Sequence, residues 1–303
     1  STDHEPDDSL RMNSEGQKTV SLVLGSGGAR GLAHVGVIHW LEEHGYSIGS
    51  ISGCSMGALV GGVYAAGKLE EYEDWARAIT RLDIVTLLDV AWSKAGLVRG
   101  DRIINALVEL VGERTIEELP LPFTAVAADV KRQREVWIQS GPLFDAIRAS
   151  ISLPLLFTPF KRHGVDLIDG GVLDPMPIAP TFRDHTDMTI AVDAGGPVDN
   201  EMEATSKSSV ATSEGSPVRG RLQGFISQLK DSLGSSGTQE CAAFDVFNDA
   251  FDAMKSTIAR FKIAASPPDK VIVIPRNRCK MLDFHRADEL IDFGYEQAGR
   301  TLG

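Results

Sequence analysis

The chain is poor in cysteine: Cys54, Cys241 and Cys279 are the three in 303 residues. An odd, sparse count rules out a disulfide framework, and the lack of any Cys-x-x-Cys pair rules out the usual zinc spacing. Cysteine used this way fits a reducing compartment, so a cytoplasmic location is expected. There is also no charge-free run of about 18 apolar residues, which excludes a hydrophobic membrane-spanning helix. The chain opens at Ser1 rather than at methionine, which leaves open a targeting segment removed from in front of it. Positive charge is scarce too: 30 Lys and Arg stand against 42 Asp and Glu, for a net charge of −12. So acidic a chain is not drawn to nucleic acid or to an anionic bilayer by bulk charge. Nucleic acid is therefore not an expected partner, and any contact with lipid falls to local apolar surface.

What is present is ordinary for a folded protein, with 43% hydrophobic residues and a length that suits one large α/β domain or two small ones. Residues 1–17 are polar and acidic and read as a mobile tail. A β-rich run over 19–24 stops at Gly25, a helical stretch covers 32–44, a short strand over 50–52 leads into the helical stretch 55–66. Strand, glycine turn and helix, twice over, predict a parallel α/β sheet. Further strands are readable at 123–128, 135–139, 166–168, 189–192 and 271–274, several of them near-continuous apolar runs suited to burial on both faces. Residues 197–240, loaded with Ser, Gly, Glu and Lys, read as a flexible insertion in a domain spanning 18–303. Within it Leu222, Phe225, Ile226, Leu229 and Leu233 fall at helical spacing. After it Phe244, Phe247, Phe251, Met254, Ile258 and Phe261 form a single predicted helical seam.

Two glycine-flanked turns carry the chemistry. Gly53-Cys54-Ser55-Met56-Gly57 is a Gly-x-Ser-x-Gly pentapeptide between a predicted strand and a predicted helix. A nucleophilic serine suits that sharp turn: its Oγ projects outward over a helix N-terminus, and the glycines relieve crowding two residues to either side. The helix dipole favours the anion that forms during attack. The other reading is a tight turn with an incidental serine. Gly25-Ser26-Gly27-Gly28-Ala29-Arg30-Gly31 likewise ends a strand and opens a helix, and its backbone N–H groups suit an anion. A dinucleotide pyrophosphate and an oxyanion both fit. The dinucleotide, however, wants an acidic residue at the tip of the second strand, where this chain has its serine turn. Two anion-friendly turns at adjacent strand ends favour acyl transfer. In that chemistry the seam of residues 244–261 is either a helix face packed on the core or an acyl-chain wall or membrane-facing stripe.

Such a serine needs a base. Of the seven histidines, His285 near the C-terminus would complete a Ser-acid-His chain order, but the Arg286-Ala287-Asp288-Glu289 that follows it reads as a helix start. Asp169-Gly170-Gly171, at the end of an apolar strand, is the other candidate: a carboxylate held on a tight loop, or an ordinary β-turn.

The glycine loop at 25–31, the pentapeptide at 53–57, Ala149-Ser150-Ile151-Ser152-Leu153-Pro154 and Asp169-Gly170-Gly171, in that order, resemble the patatin-like phospholipase family, in its bacterial branch related to neuropathy target esterase. The resemblance runs over residues 18–196 and resumes near 282–294. It implies a three-layer α/β/α fold with a mainly parallel central sheet. It implies a Ser-Asp dyad, with Ser55 as nucleophile, Asp169 as base and no catalytic histidine. The N–H groups of Gly27 and Gly28 would hold the oxyanion, with Arg30 supporting that loop and Gly53, Gly57, Gly170 and Gly171 shaping the turns. No metal or cofactor is implied. The expected substrate is a fatty acyl ester or phospholipid, cleaved through an acyl-enzyme by a protein peripheral to the inner membrane. Residues 219–261 are expected to gate lipid access or to mediate homo-oligomer formation. Ser26 stands where the family usually has glycine. The competing readings are an α/β-hydrolase-type esterase with a Ser-Asp-His triad through His285, and a non-catalytic nucleotide-binding or regulatory module.

Overall fold

In the computed structural model, which describes residues 16–87, 100–199 and 236–303, an eight-stranded sheet carries the fold. Most of the expected N-terminal tail, and the apolar positions Leu222, Phe225, Ile226, Leu229 and Leu233, lie outside the described residues. β1 (Lys18–Leu24) and β2 (Tyr46–Cys54) are joined by a 3-10 turn (Gly28–Leu32) and α1 (Ala33–Glu43). α2 (Met56–Ala65), α3 (Leu69–Ala78), α4 (Arg81–Leu87) and α5 (Asp101–Val111) precede β3 (Phe123–Asp129). β4 (Arg134–Ile138), α6 (Leu143–Ser150), β5 (Phe160–Arg162), β6 (Val165–Asp169) and β7 (Met188–Gly196) follow. α7 (Ser236–Ala265), β8 (Lys270–Pro275) and α8 (Ala287–Leu302) complete the chain.

The strand order is β5-β6-β3-β2-β1-β7-β8, with β4 paired to β3. β1, β2, β3, β7 and β8 run parallel, and β4, β5 and β6 enter by antiparallel pairings. Alternation along the strands sorts side chains to two faces. Leu22 and Leu24 of β1, Ile51, Ala125, Ile190 and Ile272 belong to a core shared with residues of α1, α2, α6 and α8. Val23 and Ala191 point the other way, against Met176, Ile178 and Ala259 of α7. The result is the three-layer α/β/α arrangement. α1 and α8 cross at a glycine contact: a Cβ on Gly36 would lie 1.9 Å from the Ile291 carbonyl oxygen, and one on Gly294 2.0 Å from that of Ala33.

β2 is longer than the short strand expected over 50–52, because Ser47, Gly49 and Ser50 break the apolar alternation at its start. Ser50 is nonetheless at home there, its hydroxyl donating to the Asp184 carboxylate. Half of the residues of α3 are charged and it buries only Leu69, Tyr72 and Ala76, so its three anchors give a weak pattern. No helix among the described residues is long and apolar enough to cross a membrane.

β3 positions the site. One of its edges pairs with β4 over Ala125–Asp129; the other is shared by β2 and β6. β2 occupies it up to Cys54, opposite Val126, and β6 takes over at the next residue, with Asp169 opposite Ala127. The chain leaves β2 at Ser55 just where β6 delivers Asp169.

Candidate active site

Ser55 links β2 to α2 with φ +56° and ψ −122°, a conformation that non-glycine residues rarely adopt and that is held at strained functional turns. The flanking glycines are a steric requirement. A Cβ on Gly53 would fall 2.4 Å from the Gly57 carbonyl oxygen, and one on Gly57 2.0 Å from that of Leu24. The turn is also tied down, the Ser55 N–H donating to Ser150 Oγ at 2.9 Å.

Asp169 is placed by the same logic. A Cβ on Gly170 would meet the Val126 carbonyl oxygen at 2.2 Å, so glycine is needed where the chain turns against β3. The Ser55 hydroxyl donates to Asp169 Oδ2 at 2.6 Å, and the Gly171 N–H donates to Oδ1 at 2.7 Å. Ser55 is 8% exposed and Asp169 2%. Burial pushes the Asp169 carboxyl above its ordinary range, while the Ser55 hydroxyl, the Lys255 ammonium and the Gly171 N–H pull it back.

The glycine loop lies across the end of β1. Gly25 N–H donates to the Val192 carbonyl at 3.0 Å, Ser26 N–H to that of Pro175 at 2.9 Å, and Ala29 N–H to that of Met281 at 2.8 Å. Between them, the N–H groups of Gly27 and Gly28 meet no acceptor among the described residues. Gly28, at φ +56°, lines the cavity that contains Ser55, whereas Gly27 is buried against Ala194 and is not part of the lining. Arg30 locks the loop from behind. It is 2% exposed and donates to the carbonyls of Ala194, Arg276 and Cys279 as well as to Asp252.

No histidine hydrogen-bonds Ser55 or Asp169 among the described residues. His285 sits in a 3-10 turn, Phe284–Arg286, just ahead of α8. His34, fully buried, faces the Gly25 carbonyl through Nε2 at 2.9 Å. β2 ends in Cys54 and the serine turn, so no carboxylate stands at its tip to meet a ribose.

Ser55 and Asp169 open into an apolar cavity walled by Leu59, Trp75, Ile103, Leu156, Phe157 and Phe284. Phe244 of the predicted seam lies outside the described side chains, and the seam over 247–261 is not that wall. Met254 and Phe261 are 54% and 71% exposed, while Phe247 and Phe251 pack behind it in a cluster with Leu153, Phe157 and Met281. The buried line of α7 runs in steps of four through Phe251, Lys255 and Ala259, and the residue it gives to the cavity is Lys255. Sequence reasoning missed Lys255, because a lysine within a helix reads as solvent-facing. Its one available signal was its place four residues after Phe251 on an otherwise apolar line.

The family profile described as patatin-like phospholipase matches residues 22–182. An "Uncharacterized NTE family protein" of Mycobacterium tuberculosis is 37% identical over 337 residues, covering 97% of this chain and 94% of that protein. "Lysophospholipase NTE1" of Coccidioides immitis is 30% identical over 296 residues, which cover 92% of this chain but 17% of the fungal one. "Lysophospholipase nte1" of Emericella nidulans is 33% identical over 191 residues, covering 60% and 12%.

Proposed function

Because the chain belongs to the patatin-like phospholipase family, we propose that it is a serine lipid acyl hydrolase in which Ser55 and Asp169 form the catalytic dyad. The observation that carries this reading is the 2.6 Å hydrogen bond from Ser55 Oγ to Asp169 Oδ2 at the floor of an apolar cavity. The family's description and the names of the fungal relatives make phospholipid and lysophospholipid acyl esters the class to test first.

The geometry supports the following cycle. With the acyl chain in the apolar cavity, Ser55 Oγ attacks the ester carbonyl carbon and its proton passes to Asp169 Oδ2. The developing oxyanion takes the free N–H of Gly28, and that of Gly27 if the loop shifts to present it. Collapse expels the alcohol, which leaves with the proton from Asp169. Water then attacks the acyl-enzyme, Asp169 takes its proton, and the carboxylic acid departs from a regenerated Ser55. Contact with a lipid aggregate is peripheral in this reading, with exposed Met254 and Phe261 of α7 as apolar contacts.

The test is hydrolysis of micellar lysophospholipid, together with labelling of Ser55 by a fluorophosphonate. Ser55→Ala is expected to abolish both, and Asp169→Asn to lower turnover by about 10³-fold or more in a protein that still melts cooperatively. Normal turnover in Asp169→Asn would remove Asp169 as the base, and a folded wild-type chain that takes no label would remove the hydrolase.

A further inference from the structure

We infer that Lys255 is the positioning cation of the dyad: its ammonium keeps the buried Asp169 in the charged, proton-accepting form. The inference rests on the Ser55–Asp169 reading and deepens it.

Lys255 lines the same cavity as Ser55 and Asp169, although it comes from the opposite helical layer. Gly171 shows how near it is. A methyl group placed there would lie 2.8 Å from Ser26 Oγ, 3.0 Å from Asp169 Oδ1 and 3.1 Å from Lys255 Cδ. The lysine stem and the carboxylate thus flank one glycine that has no room for a side chain.

Lys255 serves more than one buried carboxylate. The residue is 5% exposed, and a buried ammonium must find compensation. Its Nζ pairs with Asp252 Oδ1 at 2.8 Å and lies 4.9 Å from the centre of the Phe251 ring. Asp252 also takes Arg30 at 3.0 Å, so two cations share one carboxylate. The buried Asp193 on β7 feels both cations as well, and Asp169 is the buried carboxylate at the cavity that Lys255 lines. Asp169 meets Ser55 at the elbow, the Gly171 N–H, Lys255 on α7 and, across Gly171, Ser26 on the glycine loop; the neighbouring Cys54 thiol also feels Asp174 and Glu135, and Lys255 is shared with Asp252 on α7 and Asp193 on β7. Among the described residues, Lys255 is the cation that pulls the Asp169 carboxyl down against its burial.

A lysine that only paired with Asp252, three residues earlier on the same helix, would matter for the stability of α7 and not for the protonation of Asp169. The pH dependence of Ser55 labelling by a fluorophosphonate separates these roles without requiring the natural substrate. In Lys255→Met the acid limb of the labelling rate is expected to move to higher pH by about one to three units, the effect of removing an opposite charge from beside a carboxylate. Lys255→Arg, which keeps the charge, is expected to hold the limb near its wild-type position, and Lys255→Gln gives a second neutral variant should Met pack poorly. Thermal melts establish that each variant is folded. A folded Met or Gln variant whose limb does not move overturns the inference. So does one in which KM rises for a phosphate-bearing ester alone with the limb unmoved, since Lys255 would then be a headgroup contact. A wild-type chain that takes no label at Ser55 fails the dyad itself, a result distinct from either.

Discussion

Ser150 holds the backbone of Ser55. Its Oγ accepts the Ser55 N–H at 2.9 Å and donates in turn to the Val126 carbonyl at 2.6 Å. The strained serine turn is thereby fastened to the β3 residue that pairs with Cys54, so one hydroxyl ties elbow, sheet and the end of α6 together. Ser150 is fully buried, and Ser150→Ala would strand a donor and an acceptor away from water. A loss of about 1–3 kcal/mol in chemical denaturation is expected, with a slower fluorophosphonate reaction at Ser55 as the turn relaxes. An unchanged midpoint and labelling rate would show that the hydroxyl does not hold the turn.

Arg30 makes a second demand on geometry. Its Nε donates to the Ala194 carbonyl at 2.9 Å, and its two terminal nitrogens reach Arg276, Cys279 and Asp252 at 3.0–3.3 Å. These acceptors lie on three separate segments, and a single ammonium cannot span the fork. Arg30→Lys keeps the charge yet is expected to destabilise the fold by about 2 kcal/mol or more and to slow Ser55 acylation, because the glycine loop loses its backing. Wild-type melting and wild-type acylation in this variant would reduce Arg30 to a charge.

The parts of the site that could be read from sequence are those whose cause is local. The glycines at 53 and 57 and at 170 and 171 are forced by carbonyls or side chains within about 3 Å of where a Cβ would stand, and such constraints leave glycine in the text. Ser55 and Asp169 could therefore be singled out one at a time. Their meeting could not, since it depends on β2 and β6 sharing one edge of β3, a pairing between segments more than a hundred residues apart. The cavity walls were hidden for the same reason, assembled from α2, α3, α5 and the segments near 156 and 284. α7 misled more actively. The apolar residues at steps of three and four suggest one seam, but Lys255 lies on the buried line and Phe261 off it, because Asp252 of the same helix pairs with the buried Arg30 and with Lys255, so charge pairing as well as hydrophobicity sets which side faces inward.

The contact between α1 and α8 gives a prediction about the fold away from the site. A Cβ on Gly36 would fall 1.9 Å from the Ile291 carbonyl oxygen and 2.6 Å from the Tyr295 nitrogen, both backbone atoms that cannot rotate aside. Gly36→Ala should force the helices apart and cost about 3 kcal/mol or more, despite the better helix propensity of alanine. A melting temperature at or above that of the wild type would mean that the two helices can separate cheaply.

His34 predicts how the fold responds to acid. The acceptor at its Nε2 is a carbonyl, so Nε2 carries the proton, and Nδ1 is buried with no partner among the described residues. Charging the ring would put a cation in the core, and burial lowers its pKa from 6.5 to about 4, with the Gly25 hydrogen bond working the other way. The unfolded chain takes up this proton as the pH falls through 6.5, whereas the folded chain resists until about 4. Between those values the unfolded state binds more protons, so the stability due to neutral His34 is complete above 6.5, is lost as the pH falls toward 4, and falls no further below that. The loss is about 3 kcal/mol for this one ring. Buried carboxylates add slopes of their own, so the informative quantity is the difference between the wild type and His34→Gln, whose amide can still donate to the Gly25 carbonyl. In urea denaturation at a series of pH values from 7.5 to 4.5, the gap between the two proteins should shift in favour of the glutamine variant by about 2–3 kcal/mol as the pH falls. Parallel pH dependences would mean that another group, and not His34, sets the acid sensitivity of the glycine loop.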